Sequence, residues 1–183
     1  MLTRLHLGLS IFTRLPILSS SHIKLSHDPN GDRDNHQRIV LRTGLQTSTG
    51  PLNLFDTHLS LSQKSRSRTV KEITQFISQY PSTTPAVLVG DFNEISDQEP
   101  IRHIAEQSEF IDAWANQHPD DPGWTYTTEN TYVKNRNDER KGHRIDYIFV
   151  RPSQNGRGQI LNCQRIADQS DADGHFPSDH FGL

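Results

Sequence analysis

A chain of 183 residues is long enough for one domain with a hydrophobic core. Its 32% hydrophobic and 22% charged content suits a globular protein on the polar side, and no run approaches the roughly 18 apolar residues of a membrane span. The formal charge of -3, from 19 basic and 22 acidic side chains, gives no global electrostatic case for nucleic acid, but leaves room for an enzyme that manages substrate charge with metal ions. The single Cys163 excludes an internal disulfide and a cysteine-based zinc cluster, and suits a cytoplasmic or other reducing intracellular compartment.

In chain order, Arg4 and Arg14 interrupt the apolar residues near the start and no small-residue cleavage site follows. Residues 9–18 therefore read as a strand and a turn at Pro16 rather than a signal peptide. Ser26 to Gln37 is a loop, and its Asp28-to-Asp34 portion lacks the spacing and terminal Glu of an EF-hand. Strands from Ile39 and from Leu52 to Leu59 flank Gly50-Pro51 as an antiparallel hairpin. Val70, Ile73, Phe76 and Ile77 then line one side of a helix from about Ser67 to Tyr80, with Arg66 and Arg68 as its solvated start. Ala86 to Val89 is a buried strand, and a short helix from Pro100 through Ser108 is capped by Ser96 or Asp97. Residues 116–142 are turn-rich around an aromatic island at Trp124 to Thr127, which Asp112 and Trp114 help to shape. The mixed charges of Lys134 to Lys141 read as a loop. Ile145 to Val150 is a strong strand and Ile160-Leu161 a weak one. No repeat or linker divides residues 1–183, so they form one α/β or α+β domain.

Polar signals recur at the ends of these strands: Asp56-Thr57-His58, Asp91-Phe92-Asn93 and Arg144-Ile145-Asp146, with Asp179-His180 near the last residue. Strand alternation sends Asp91 and Asn93 to one side while Phe92 packs on the other. A carboxylate there can bind a hard cation or orient water, and an amide can reach metal or phosphate; the plainer alternative is an Asx turn. Asp146, in an otherwise apolar strand, needs a partner, and Arg144 points to the opposite face, which leaves a distant histidine as the better candidate. His58 and His180 can each exchange a proton near neutral pH, or can be core residues bonded to backbone.

Taken together, Thr57-His58-Leu59, Gly90-Asp91-Phe92-Asn93, Arg144-Ile145-Asp146-Tyr147-Ile148-Phe149 and Ser178-Asp179-His180, preceded by Ile11 to Ile17, resemble the endonuclease/exonuclease/phosphatase superfamily in order and spacing. That resemblance implies a four-layer sandwich of two mixed β-sheets flanked by helices, and metal-assisted hydrolysis of a phosphate ester, a phosphodiester above all, with Mg²⁺ or Mn²⁺. It further implies that Asp91 positions the nucleophilic water, that Asn93 orients phosphate or metal, and that Asp179 binds metal. His180 would contact phosphate with Asp146 orienting it, and His58 would stabilise phosphate or assist proton transfer.

The same resemblance places an Asn-bearing strand and a metal-binding Glu before the segment like residues 9–18, where this chain has neither, and Glu72 and Glu94 come too late to replace that Glu. The expectation is a partial domain, lacking its N-terminal metal-binding segment and short at its C-terminus. The alternative function is then an inactive fragment, or a regulatory protein that binds a phosphate ligand. Nucleic acid, phospholipid and small organophosphates all remain as substrates. The strand lacks the Trp-Cys-Asp-Arg pattern of inositol polyphosphate 5-phosphatase relatives, and no specific protein partner is indicated.

Overall fold

The computed structural model describes residues 8–27, 36–133 and 141–183; Arg4, the loop from Asp28 to Asp34 and the charged stretch over 134–140 lie outside them. The elements run β1 (Ile17–Lys24), β2 (Ile39–Thr47), β3 (Gly50–His58), α1 (Gln63–Ile77), β4 (Ala86–Asp91), α2 (Glu99–Gln107), β5 (Ile111–Asp112), α3 (Ala113–Gln117), β6 (Tyr126–Thr127), β7 (Gly142–His143) and β8 (Asp146–Arg151). Six strands form one mixed sheet in the order β1-β2-β3-β4-β8-β5, and β6 and β7 pair as a second, antiparallel sheet. Two sheets with helices packed against the larger one agree with the expected class.

The connections follow from element type. β2 and β3 form the expected hairpin, with Thr47 opposite Gly50. β3 and β4 are parallel, which requires a crossover, and the amphipathic α1 supplies it. On one face of the sheet Val40, Phe55, Leu88, Tyr147 and Phe149 pack against Val70, Ile73 and Phe76 of α1 and Ile101 and Ile104 of α2, all buried. Alternation then sends Asp91 and Asp146 to the other face.

Several expectations are corrected. The first strand begins only at Ile17, immediately after Pro16, and Phe12 is 96% exposed. β1 is an edge strand whose three serines have low β propensity, so its backbone pairing with β2, rather than an apolar pattern, defines it. Helix α1 starts at Gln63, and Arg66 is not solvated: it is buried, with its guanidinium 2.9 Å from the Glu94 carboxylate and donating to the carbonyl of Ser60. Arg68 is the exposed one of the two, reaching the Ser26 carbonyl. Helix α2 is preceded by Gln98 with no side-chain cap, Pro100 in its first turn replacing the expected cap signal. Residues 160–161 form no strand; Leu161 is exposed, while Ile160 packs with Trp114 and Cys163.

Candidate active site

Register builds the site. His58 lies opposite Asp91 in the β3–β4 pairing, and Asp91 lies opposite Asp146 in the β4–β8 pairing, so the ends of three neighbouring strands present these residues in one row. Gly90 permits this alignment: its φ is +144°, and a Cβ there would fall 1.8 Å from the carbonyl oxygen of Thr57. Beneath the row, the Phe92 ring packs edge-on to Tyr147 and Phe149, and the Tyr147 hydroxyl lies 2.9 Å from the Glu94 carbonyl and 2.8 Å from that of Arg144. One buried phenol therefore holds both the segment leaving β4 and the segment entering β8.

The side chains then meet in two pairs. His58 Nε2 lies 3.4 Å from Asp91 Oδ2. His180 Nδ1 lies 2.8 Å from Asp146 Oδ2, the distant histidine that the apolar setting of Asp146 called for. Ligand atoms of Asp91, Asp146 and His180 lie within 4.8 Å of one another, a geometry able to hold a metal ion. Asn93, with φ of 49°, donates its backbone N–H to Asp91 Oδ1 at 2.8 Å and its side-chain amide to the Leu59 carbonyl at 3.0 Å. That left-handed conformation is one Asn tolerates better than most residues. Its Oδ1 makes no hydrogen bond among the described residues and remains available as an oxygen donor. Asp179 is exposed and stands outside the three-residue convergence.

Electrostatics couples these groups. Burial, then the charge of Asp146, pushes the Asp91 carboxyl up to about 6, against the opposing effects of the Asn93 N–H, His180 and Arg38. Burial disfavours the charged form of His180, but the Asp146 hydrogen bond and the charges of Asp146, Asp91 and Asp179 outweigh it, so its pKa is raised. Burial and the facing Asp146 charge oppose ionisation of Asp91, a cost that a hard cation would relieve. Carboxylate and amide oxygens are the donors that hard divalent cations take.

Sequence reasoning missed how the site is braced. Thr125 is fully buried, and its Oγ1 accepts the backbone N–H groups of Ile145 and Asp146, each at 3.2 Å. Its carbonyl accepts the N–H of Phe181 at 2.6 Å, and the Tyr126 ring lies 5.1 Å from the His180 ring. The aromatic island marked this segment, but its contacts with residues 20 to 56 positions later have no local signal. Arg144 pairs with Asp112 at 2.7 Å and lies over the Tyr147 ring, away from Asp146 as expected, but not through alternation, which puts residues two apart on one face: Arg144 precedes β8 and is not bound by its period. Glu72 accepts the N–H of Ser26 and Glu94 pairs with Arg66, so both carboxylates are engaged away from the cluster.

One end of the mixed sheet brings two aspartates, a histidine and an asparagine together with His180 of the C-terminal segment, a geometry consistent with metal-dependent phosphoesterase ancestry. The chain belongs to the Endonuclease/Exonuclease/phosphatase family, whose pattern matches residues 3–180. Nocturnin of Drosophila melanogaster is 26% identical over 188 residues, covering 82% of this chain and 27% of the fly protein. The structure of D. rerio TDP2 complexed with single-strand DNA product superposes with a TM-score of 0.72 at 19% identity, covering 92% of this chain and 66% of that one. The mannosyl-6-phosphatase from Bacteroides thetaiotaomicron VPI-5482 gives 0.62 at 19% identity, over 91% of this chain and 64% of that one. The chain thus spans about a quarter of the length of its curated relative and just under two thirds of these solved chains. Among the described residues, no helix is long and apolar enough to cross a membrane.

Proposed function

We propose that this chain carries a divalent-metal-dependent site that hydrolyses a phosphate ester, with a phosphodiester as the substrate class, using an activated water. The observation that carries the reading is the convergence of Asp91, Asp146 and His180 within 4.8 Å. Asp91 and Asn93 would hold Mg²⁺ or Mn²⁺ beside the Asp146–His180 pair, with Asp179, next to His180 in the chain, as the further carboxylate that the family resemblance implies; the metal would draw charge from the phosphate and acidify its water. Asp91, held by the Asn93 N–H and beside His58, orients the attacking water and accepts its proton. The water oxygen bonds to phosphorus as the ester P–O bond breaks. Asp146 fixes the His180 ring through Nδ1, which leaves Nε2 to donate to a phosphoryl oxygen, and the raised pKa favours the protonated form that can do so. His58, beside Asp91, stabilises the phosphate or passes the proton to the departing oxygen.

The names of similar structures run from a complex with a DNA product to a sugar phosphatase, so the fold does not select the alcohol. A second reading, a protein that binds a phosphate ligand without turnover, is favoured by Asp179 lying outside the convergence and by the engagement of Glu72 and Glu94 elsewhere. Calorimetric titration with Mg²⁺ and Mn²⁺, followed by assays on bis(p-nitrophenyl) phosphate, p-nitrophenyl phosphate, single-stranded DNA and phospholipid, separates the two. Metal binding with diester turnover is expected. Phosphate binding without turnover on any substrate would establish the second reading.

A further inference from the structure

Resting on the reading that His180 contacts phosphate, we infer that Asn130 is a positioning residue that sets the placement of His180 by clamping the chain on its N-terminal side. His180 belongs to no helix or strand, and Ser178 and Asp179 before it are exposed. The far side of the segment is firmly held. Phe181 is buried, its N–H bonds to the Thr125 carbonyl, and Gly182 exchanges two backbone hydrogen bonds with Ile166, each at 2.9 Å. A segment anchored at one end alone can pivot about that anchor, and His180 lies within the arc.

The second anchor comes from the turn after β6. The Asn130 side-chain amide donates to the Ser178 carbonyl at 2.8 Å, and Ser178 Oγ in turn accepts the His180 N–H at 3.1 Å. Asn130 is itself fully buried and rigidly oriented: its Oδ1 accepts the N–H of Tyr132, its N–H bonds to the Thr127 carbonyl, and its carbonyl accepts the N–H of Val133. This assigns the amide orientation, because the acceptor oxygen is used by Tyr132 and the nitrogen is left to face Ser178. A buried amide with both ends engaged, one of them on an otherwise exposed segment, acts as a fixed post for that segment. The Tyr126 ring and the Asp146 carboxylate then define where the imidazole can rest. Among the described residues, the Asn130 side chain reaches the His180 segment through Ser178 and makes no bond to Asp91, Asp146 or His180.

The informative variant is Asn130→Asp, which keeps the volume and the acceptor for Tyr132 but sets a carboxylate against the Ser178 carbonyl. Two readouts are taken on the full chain. The first is the low-field proton resonance of the His180 Nδ1–H bonded to Asp146, which needs neither metal nor turnover. It is expected to be resolved in the parent and broadened or lost in the variant, while the amide resonances of β4 and β8 stay in place. The second, on bis(p-nitrophenyl) phosphate with Mg²⁺, is a fall in kcat of about tenfold to a hundredfold with KM little changed, the signature of a displaced reacting group. An unchanged resonance and unchanged kcat overturn the inference. If even the parent lacks turnover, the phosphoesterase reading fails, and the resonance still decides the role of Asn130. If the variant does not fold, hydrogen exchange in the parent decides: slow exchange of the Asn130 side-chain amide and of the His180 backbone amide supports the clamp, and fast exchange of either overturns it.

Discussion

Replacing Asp91 by Asn should stabilise the metal-free protein while it abolishes catalysis, and the size of the effect follows from the carboxyl's surroundings. In the folded chain Asp91 titrates near 6 instead of 3.8, because burial and then Asp146 oppose its charge. A folded pKa above the unfolded one means that the native state binds the proton more tightly. The favourable contribution is complete below about 3.8 and is lost as the pH rises through 6. At 1.36 kcal/mol per pKa unit, the difference of 2.2 between the two values amounts to about 3 kcal/mol of native-state strain at pH 8. An amide has no charge to desolvate and keeps an Oδ1 acceptor for the Asn93 N–H, but still buries a polar group, so a net gain of about 1–3 kcal/mol is expected. Urea unfolding of both proteins in EDTA, between pH 4 and pH 8, measures it. The two stabilities should meet near pH 4 and separate progressively to pH 7. A constant difference across that range, or a variant that is less stable at pH 8, would refute the electrostatic account.

Other consequences follow from the same contacts. Arg66→Met should destabilise the chain by about 3–5 kcal/mol in urea unfolding at pH 7, since it leaves the Glu94 carboxylate buried without its partner. Phe55→Ala, at the centre of the core and edge-on to Phe76 and Tyr80, should lower stability by about 3–5 kcal/mol with the fold retained by circular dichroism. His180→Ala should reduce turnover by about 10²–10⁴-fold without lowering the thermal midpoint appreciably, because the ring is part-exposed; unchanged turnover would remove His180 from the chemistry.

His58, Asp91 and Asp146 were legible because each stands at the end of a strand with a clear apolar pattern, whereas His180, which lies in no strand, was marked only by its Ser-Asp-His sequence. Val89-Gly90-Asp91 and Ile145-Asp146-Tyr147 announce themselves by an acid in a run that otherwise buries. Pairing was not legible. Nothing local says that β8 lies beside β4, and only that register sets Asp146 opposite Asp91. The same limit hid Arg66, whose partner Glu94 lies 28 residues away; a charged helix start reads as solvated unless its partner is known. β1 escaped because its serines carry no strand pattern, and its hydroxyl contact, Ser21 to Tyr80, joins residues 59 apart.

The register also explains why the acids lie where they do. In an antiparallel pair, opposite side chains on one face have Cβ atoms about 5 Å apart, and like charges placed there are destabilising. Asp91 and Asp146 occupy such opposed positions, with His58 and His180 flanking them. A sheet selected for stability alone would place a β-branched residue at either position, as Val89 opposite Ile148 does two residues further along. The repulsion is tolerated where Tyr147 ties down both strand ends and Thr125 holds the entry to β8, so the strands cannot relax apart. Strain of this kind, confined to one row and braced by neutral buried groups, is what the proposed cation site requires and what a turn that merely closes a strand would not need.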